Sequence, residues 1–154
     1  MRKLATAVGL AAALLMIPAA AEATPPSPAS GTETITSETA TVVGTADGNT
    51  ILAVTATAAI TGSFNGTFNA QFTTIAHPTG QINDVQGAGV CTCSFDGRSG
   101  TVTFQFTGTG TPSDTEVQAT TIGATGGLQG LHSNLAVNVA GTAVTYSGTA
   151  HFGP

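Results

Sequence analysis

Positive charge is almost missing from this chain. Three Lys and Arg stand against eight Asp and Glu, for a formal net charge of −5. Arg2 and Lys3 sit at the very N-terminus, so Arg98 is the one basic side chain in the remainder. A polyanion such as nucleic acid is held by rows of cations that displace its counterions, so no nucleic-acid partner is expected. Anionic membrane surfaces are disfavoured for the same reason. Trp is absent, Tyr occurs once and Cys twice. Charged residues make up only 7% of the chain, which leaves Thr, Ser, Asn, Gln and Gly to cover the surface. No nucleophile frame of the Gly-x-Ser-x-Gly kind is present, nor a phosphate loop, a paired-carboxylate signature or a zinc motif. No cofactor is expected.

The N-terminus reads as an export signal. Arg2 and Lys3 precede an apolar run from Leu4 to Ile17, Pro18 breaks it, and Ala21-Glu22-Ala23 fits a small-residue cleavage site. The run is shorter than the about 20 residues of a spanning helix, so residues 1–23 are expected to be removed. No second long apolar run follows, and the cleaved product is expected to be secreted, without stable membrane insertion. Thr24 to Gly31 carries three prolines among small residues and reads as an extended linker. Residues 32–154 are then one domain of ordinary size.

That domain alternates. Phe64, Gly66, Phe68, Ala70 and Phe72 fall on one side of an extended strand, and Asn65, Thr67, Asn69, Gln71 and Thr73 on the other. Val102, Phe104 and Phe106 repeat the pattern against Thr103, Gln105 and Thr107. Leu52, Val54, Ala56, Ala58 and Ile60 form a third apolar row. Eight strands are expected, at 33–43, 50–60, 63–76, 82–95, 101–109, 115–122, 134–139 and 143–152. Asp47-Gly48 and Asp96-Gly97 are hairpin turns, and 123–133 reads as a compact loop. Short connections make sequence neighbours antiparallel neighbours. One-sided strands need a closed or two-layered structure to hide the apolar side. Closure also removes exposed edges, and the alternation of Phe with Gly and Ala suits the filling of a small barrel. The expected fold is an all-β, calycin-like, eight-stranded antiparallel barrel. A sandwich is the main competitor. Thr-Gly pairs recur too irregularly for a solenoid.

Gly97-Arg98-Ser99-Gly100 before an alternating strand, Thr107-Gly108, Gly126-Gly127-Leu128-Gln129-Gly130-Leu131 and a closing strand with Tyr146 resemble a family of small bacterial proteins of unknown function. Members of that family are similar to allene oxide cyclases and dirigent proteins in having an eight-stranded antiparallel barrel. The resemblance covers about the last half of the chain and implies an allene oxide cyclase-like fold.

Few residues qualify for chemistry. Asp84 and Tyr146 are the candidate catalytic groups. Asp84 would be a general acid or base with a raised pKa if it faced inward, and is ordinary surface charge if it faces outward. Tyr146 is expected inward, as a polar handle in a cavity or as a core residue whose phenol finds a partner. Phe64, Phe68, Phe72, Phe104 and Phe106 are the candidate ligand-binding residues, being the large members of the inner rows. Cys91 and Cys93 point the same way along a regular strand. Exported proteins normally pair their cysteines, yet positions i and i+2 lie near the limit of disulfide reach. Either a local bulge lets them bridge, or they stay as two half-buried thiols. His77, His132 and His151 show no ligand spacing, and no metal site is expected. Arg98 reads as a hairpin residue near Asp96 or as an anion binder at a barrel rim.

The expected function is that of an exported small barrel of unknown role that binds a small hydrophobic molecule. The alternatives are a cyclase or isomerase of the allene oxide cyclase-like type, in which shape guides a reactive substrate, and a non-catalytic structural or adhesive protein of the cell envelope. Oligomeric state is not legible from the sequence.

Overall fold

The structure is a computed structural model and describes residues 23–111 and 113–153. All but the last residue of the expected export signal lies outside the described residues. Eight strands follow one another: β1 Ser27–Ala46, β2 Asn49–Gly62, β3 Phe64–Ala76, β4 Ile82–Phe95, β5 Arg98–Thr111, β6 Asp114–Gly126, β7 Leu131–Ala140 and β8 Ala143–Phe152. Each pairs antiparallel with the next, and β8 pairs with β1, so the sheet closes into a barrel. The alternating rows fall where one-sided strands require. Phe64, Ala70, Val102, Phe104 and Phe106 are buried, while Asn65, Thr67, Gln71, Gln105 and Thr107 are exposed.

Two of the turns are set by Asp-Gly pairs. Asp47 and Gly48 have φ of 51° and 80°, and Asp96 and Gly97 have φ of 49° and 73°. Two successive positive φ values give the two-residue turn whose twist matches a hairpin. The expected loop at 123–133 shrinks to the turn Gly127–Gly130, because residues 123–126 continue β6 beside β5.

The larger correction is at the other end of the chain. Residues 27–31, expected within a Pro-rich linker, are strand. Ser27 to Glu33 pair with Ala150 to Val144, and Ala29 is fully buried. Pro28 is tolerated because this stretch of β1 has a partner on only one side: pairing with β2 begins at Gly31. Ahead of it, the Thr24 amide donates to the Phe152 carbonyl at 2.8 Å, and the Phe152 amide donates back to the Thr24 hydroxyl at 2.8 Å. Past Glu33, β1 pairs only with β2. This arm carries two bulges, between Ile35 and Ser37 and between Val42 and Gly44, irregularities that blunt an unpaired edge.

The barrel is filled at the end where β1 begins and β8 finishes. Phe64 lies 4.8 Å from Phe95, 5.9 Å from Phe104 and 6.1 Å from Tyr146, measured between ring centres. Leu128, from the β6–β7 turn, and Leu131 close the cluster. Tyr146 fixes this plug to the backbone. Its hydroxyl accepts from the Phe64 amide at 3.0 Å and donates to the Thr61 carbonyl at 3.1 Å. Gly31 is what lets the phenol in, since a methyl group there would strike both the ring and the Thr61 carbonyl.

Tyr146→Phe keeps the ring but strands the Phe64 amide in a dry site. It should lower stability by about 1–3 kcal/mol, read as a reduced urea midpoint at an unchanged slope.

Candidate functional site

The other end of the barrel is hollow. Phe68, Phe72, Phe104 and Phe106 project from β3 and β5, whereas β1 and β2 offer Ala40, Ala56 and Ala58 to the same space. Large side chains on one wall and methyl groups on the other leave a cavity of about 410 Å³. Small-molecule sites run from roughly 300 to 1,000 Å³. The aromatic wall is ordered by its own contacts. Phe68 and Phe104 meet edge to face at 6.0 Å, and Phe72 and Phe106 at 5.9 Å. On β4, a Cβ at Gly89 would collide with the Phe68 ring, and one at Gly87 with the Gln71 carbonyl and the Cα and Cβ of Phe72. The exposed Ile35, Glu38 and Gly141 are among the lining residues. They mark where the cavity meets solvent, beside the β1 arm that β8 does not cover.

Three polar residues line this apolar space without a hydrogen bond from their side chains among the described residues. Glu33 follows Gly31 on the inner face of β1. Burial pushes its carboxyl above the ordinary carboxylate range, and no hydrogen bond to the protein offsets this. Glu38 lines the cavity nearer the mouth. Thr74 is 5% exposed, and its hydroxyl has no hydrogen-bond partner. A fourth polar residue, Thr115, is satisfied internally, its hydroxyl donating to the Thr111 carbonyl at 2.6 Å.

The residues singled out from the sequence divide clearly. Phe68, Phe72, Phe104 and Phe106 line the cavity, whereas Phe64 belongs to the plug. Tyr146 also lies in the plug. Burial raises its phenol above the ordinary value, opposed by the hydrogen bond from Phe64 and assisted by the negative charge of Glu33. Asp84 is exposed, with φ of 55°, at the register shift between Ile82 and Val85, and takes no part in the cavity. Cys91 and Cys93 are joined by a disulfide on the inner face, with Cα atoms 5.5 Å apart. Contrary to the expected bulge, register runs unbroken past them on both sides.

His132 and His151, which sequence spacing does not bring together, lie opposite each other on β7 and β8 with rings stacked at 5.5 Å. Among the described residues no group of three His, Cys, Asp or Glu is placed to hold a metal ion. Arg98 lies with its guanidinium 4.1 Å from the centre of the Phe152 ring, at the filled end. The residues that sequence reasoning missed are Glu33, Glu38 and Thr74. Thr74 continues the phase of Phe68, Ala70 and Phe72, and Glu33 shares the phase of Gly31, so both carried a signal.

No protein-family model matches the chain, and no curated protein matches it. Among solved structures, the fold is similar to that of a protein of unknown function from the DUF3224 family of Shewanella oneidensis MR-1. The TM-score is 0.68, with 14% identical residues, over 84% of this chain and 99% of that one. At that identity the likeness speaks for the shared fold alone.

Thr74→Val replaces an unpartnered buried hydroxyl with a methyl group of the same shape. It should raise stability by about 1 kcal/mol or more, read from denaturation midpoints. For Glu33, the folded protein holds its proton to higher pH than the unfolded chain does. Stability from this group is therefore full below the ordinary carboxylate range and is lost as pH rises through the raised value. Among the described residues, the titratable group that interacts with Glu33 is Tyr146 from β8. Glu33→Gln should flatten that decline and be the more stable protein at neutral pH, checked by melting temperature across the acidic range.

Proposed function

We propose that this is an exported barrel that carries one small, largely apolar molecule in its hollow end. The observation that carries the reading is the cavity itself: about 410 Å³, walled by four phenylalanines and aliphatic side chains, and reached from one end. A barrel of eight strands has just enough interior to be filled with side chains, and this one is filled at the other end. Alanines opposite the phenylalanines leave room that a guest would occupy. Export is supported by the basic, apolar and small-residue sequence of the first 23 residues, and by the pairing of both cysteines.

Kinship with the allene oxide cyclase and dirigent barrels forms part of the same reading. It is supported by the closed eight-strand meander and the glycine-rich turns. A cyclase or isomerase role has less beneath it. Asp84 lies on the outer surface, and the Tyr146 hydroxyl is engaged by backbone. An adhesive role has the Thr- and Asn-rich outer face in its favour but gives no reason for a hollow interior.

Native mass spectrometry of the protein recovered from an exporting host should show a retained small molecule. Ala56→Phe places a ring in the cavity and should abolish retention while leaving the far-ultraviolet spectrum of the sheet unchanged. A clean unliganded mass from lipid-rich growth, together with no uptake of added apolar probes, would overturn carriage.

A further inference from the structure

The polar groups of the cavity select the kind of guest, given that the cavity carries one. Glu33 and Glu38 are both acids, and the Thr74 hydroxyl is buried without a partner in the same space. No basic side chain lines the cavity. Arg98, the one cation among the described residues, is held over Phe152 at the filled end. A fatty acid or other anionic amphiphile would place its charge beside two carboxylates with nothing to neutralise it. A pure hydrocarbon would leave the Glu33 carboxyl unpaired in an apolar enclosure, where an unmade hydrogen bond is costly. A guest with a donating, positively charged head satisfies both demands at once. It supplies N–H donors to Glu33, and it supplies the counter-charge that the chain itself lacks.

We propose that the cavity binds a small apolar amine, with the hydrocarbon against Phe68, Phe72, Phe104 and Phe106 and the ammonium against Glu33. The position of Glu38 toward the mouth fits the same charge preference, since it meets an incoming cation before the apolar wall does. A charge-assisted hydrogen bond from the head group to a carboxylate is stronger than the neutral hydrogen bond that an alcohol would offer.

The test is titration calorimetry of the purified protein with three probes of equal chain length, decylamine, decanol and decanoic acid, at neutral pH and below their aggregation concentrations. Decylamine should bind about tenfold or more tighter than decanol, and decanoic acid should not bind measurably. In Glu33→Gln, decylamine should fall to the affinity of decanol, while decanol binding is unchanged. Glu38→Gln is the second variant and keeps the test decisive if Glu33→Gln does not fold. It should weaken decylamine and leave decanol unchanged. Equal binding of all three probes, or preference for decanoic acid, overturns the amine proposal and leaves apolar carriage standing. Failure of all three to bind overturns carriage and the amine proposal together.

Discussion

A one-sided strand cannot be stable alone, and eight of them are stable here only because the sheet closes on itself. Most of the large apolar residues turn inward and most of the Thr, Asn and Gln outward. A flat sheet of this composition would expose one whole face of phenylalanine and valine to water. Closure makes that face an interior and gives it no edge for most of its height. The pairing of Ser27–Glu33 with Val144–Ala150 is therefore the contact on which the rest depends. Without it the inner rows have no opposite wall.

Within the ring, the two ends have been put to different uses by the sizes of a few side chains. At one end Phe64, Phe95, Tyr146, Leu128 and Phe152 fill the bore, and a single phenol ties the plug to the β2–β3 turn through two backbone hydrogen bonds. At the other end alanines face phenylalanines, and the bore stays open. The solid end gives the wall its rigidity, so the hollow end need not collapse. Glu38 is tolerated in the hollow end because it borders solvent, whereas in the plug the hydroxyl of Tyr146 is satisfied by backbone.

Strand number and strand phase were legible wherever large apolar residues alternate with polar ones, as at Phe64–Phe72 and Val102–Phe106. Such phase has only one solution when one face must be dry. The aromatic wall of the cavity was legible for the same reason. Glu38 was not, and β1 shows why. Strict alternation from Ile35 puts Ser37 and Thr39 inside and Glu38 outside. The bulge between Ile35 and Ser37 reverses that phase, so that Glu38 pairs with Ala56 on the inner face. Nothing in a run of Thr, Ser and Glu announces where such a bulge falls. Asp84 misleads in the opposite sense, since it draws notice as a lone acid among apolar residues and yet lies outside, at another shift of register. Residues 27–31 look like a linker because proline and serine are poor strand formers, and only the far end of the chain supplies the partner that makes them strand.

The latch between Thr24 and Phe152 joins residues 128 positions apart, and this separation bears on the order of assembly. Seven of the eight strand pairings link sequence neighbours through short turns, so hairpins can zip locally as the chain emerges. The eighth must gather nearly the whole polypeptide into one loop before any of its hydrogen bonds form, and such long-range closure is slow. The barrel is thus a late product of its own synthesis. Until the final strand arrives, the growing chain is a curled ribbon with a wet apolar face.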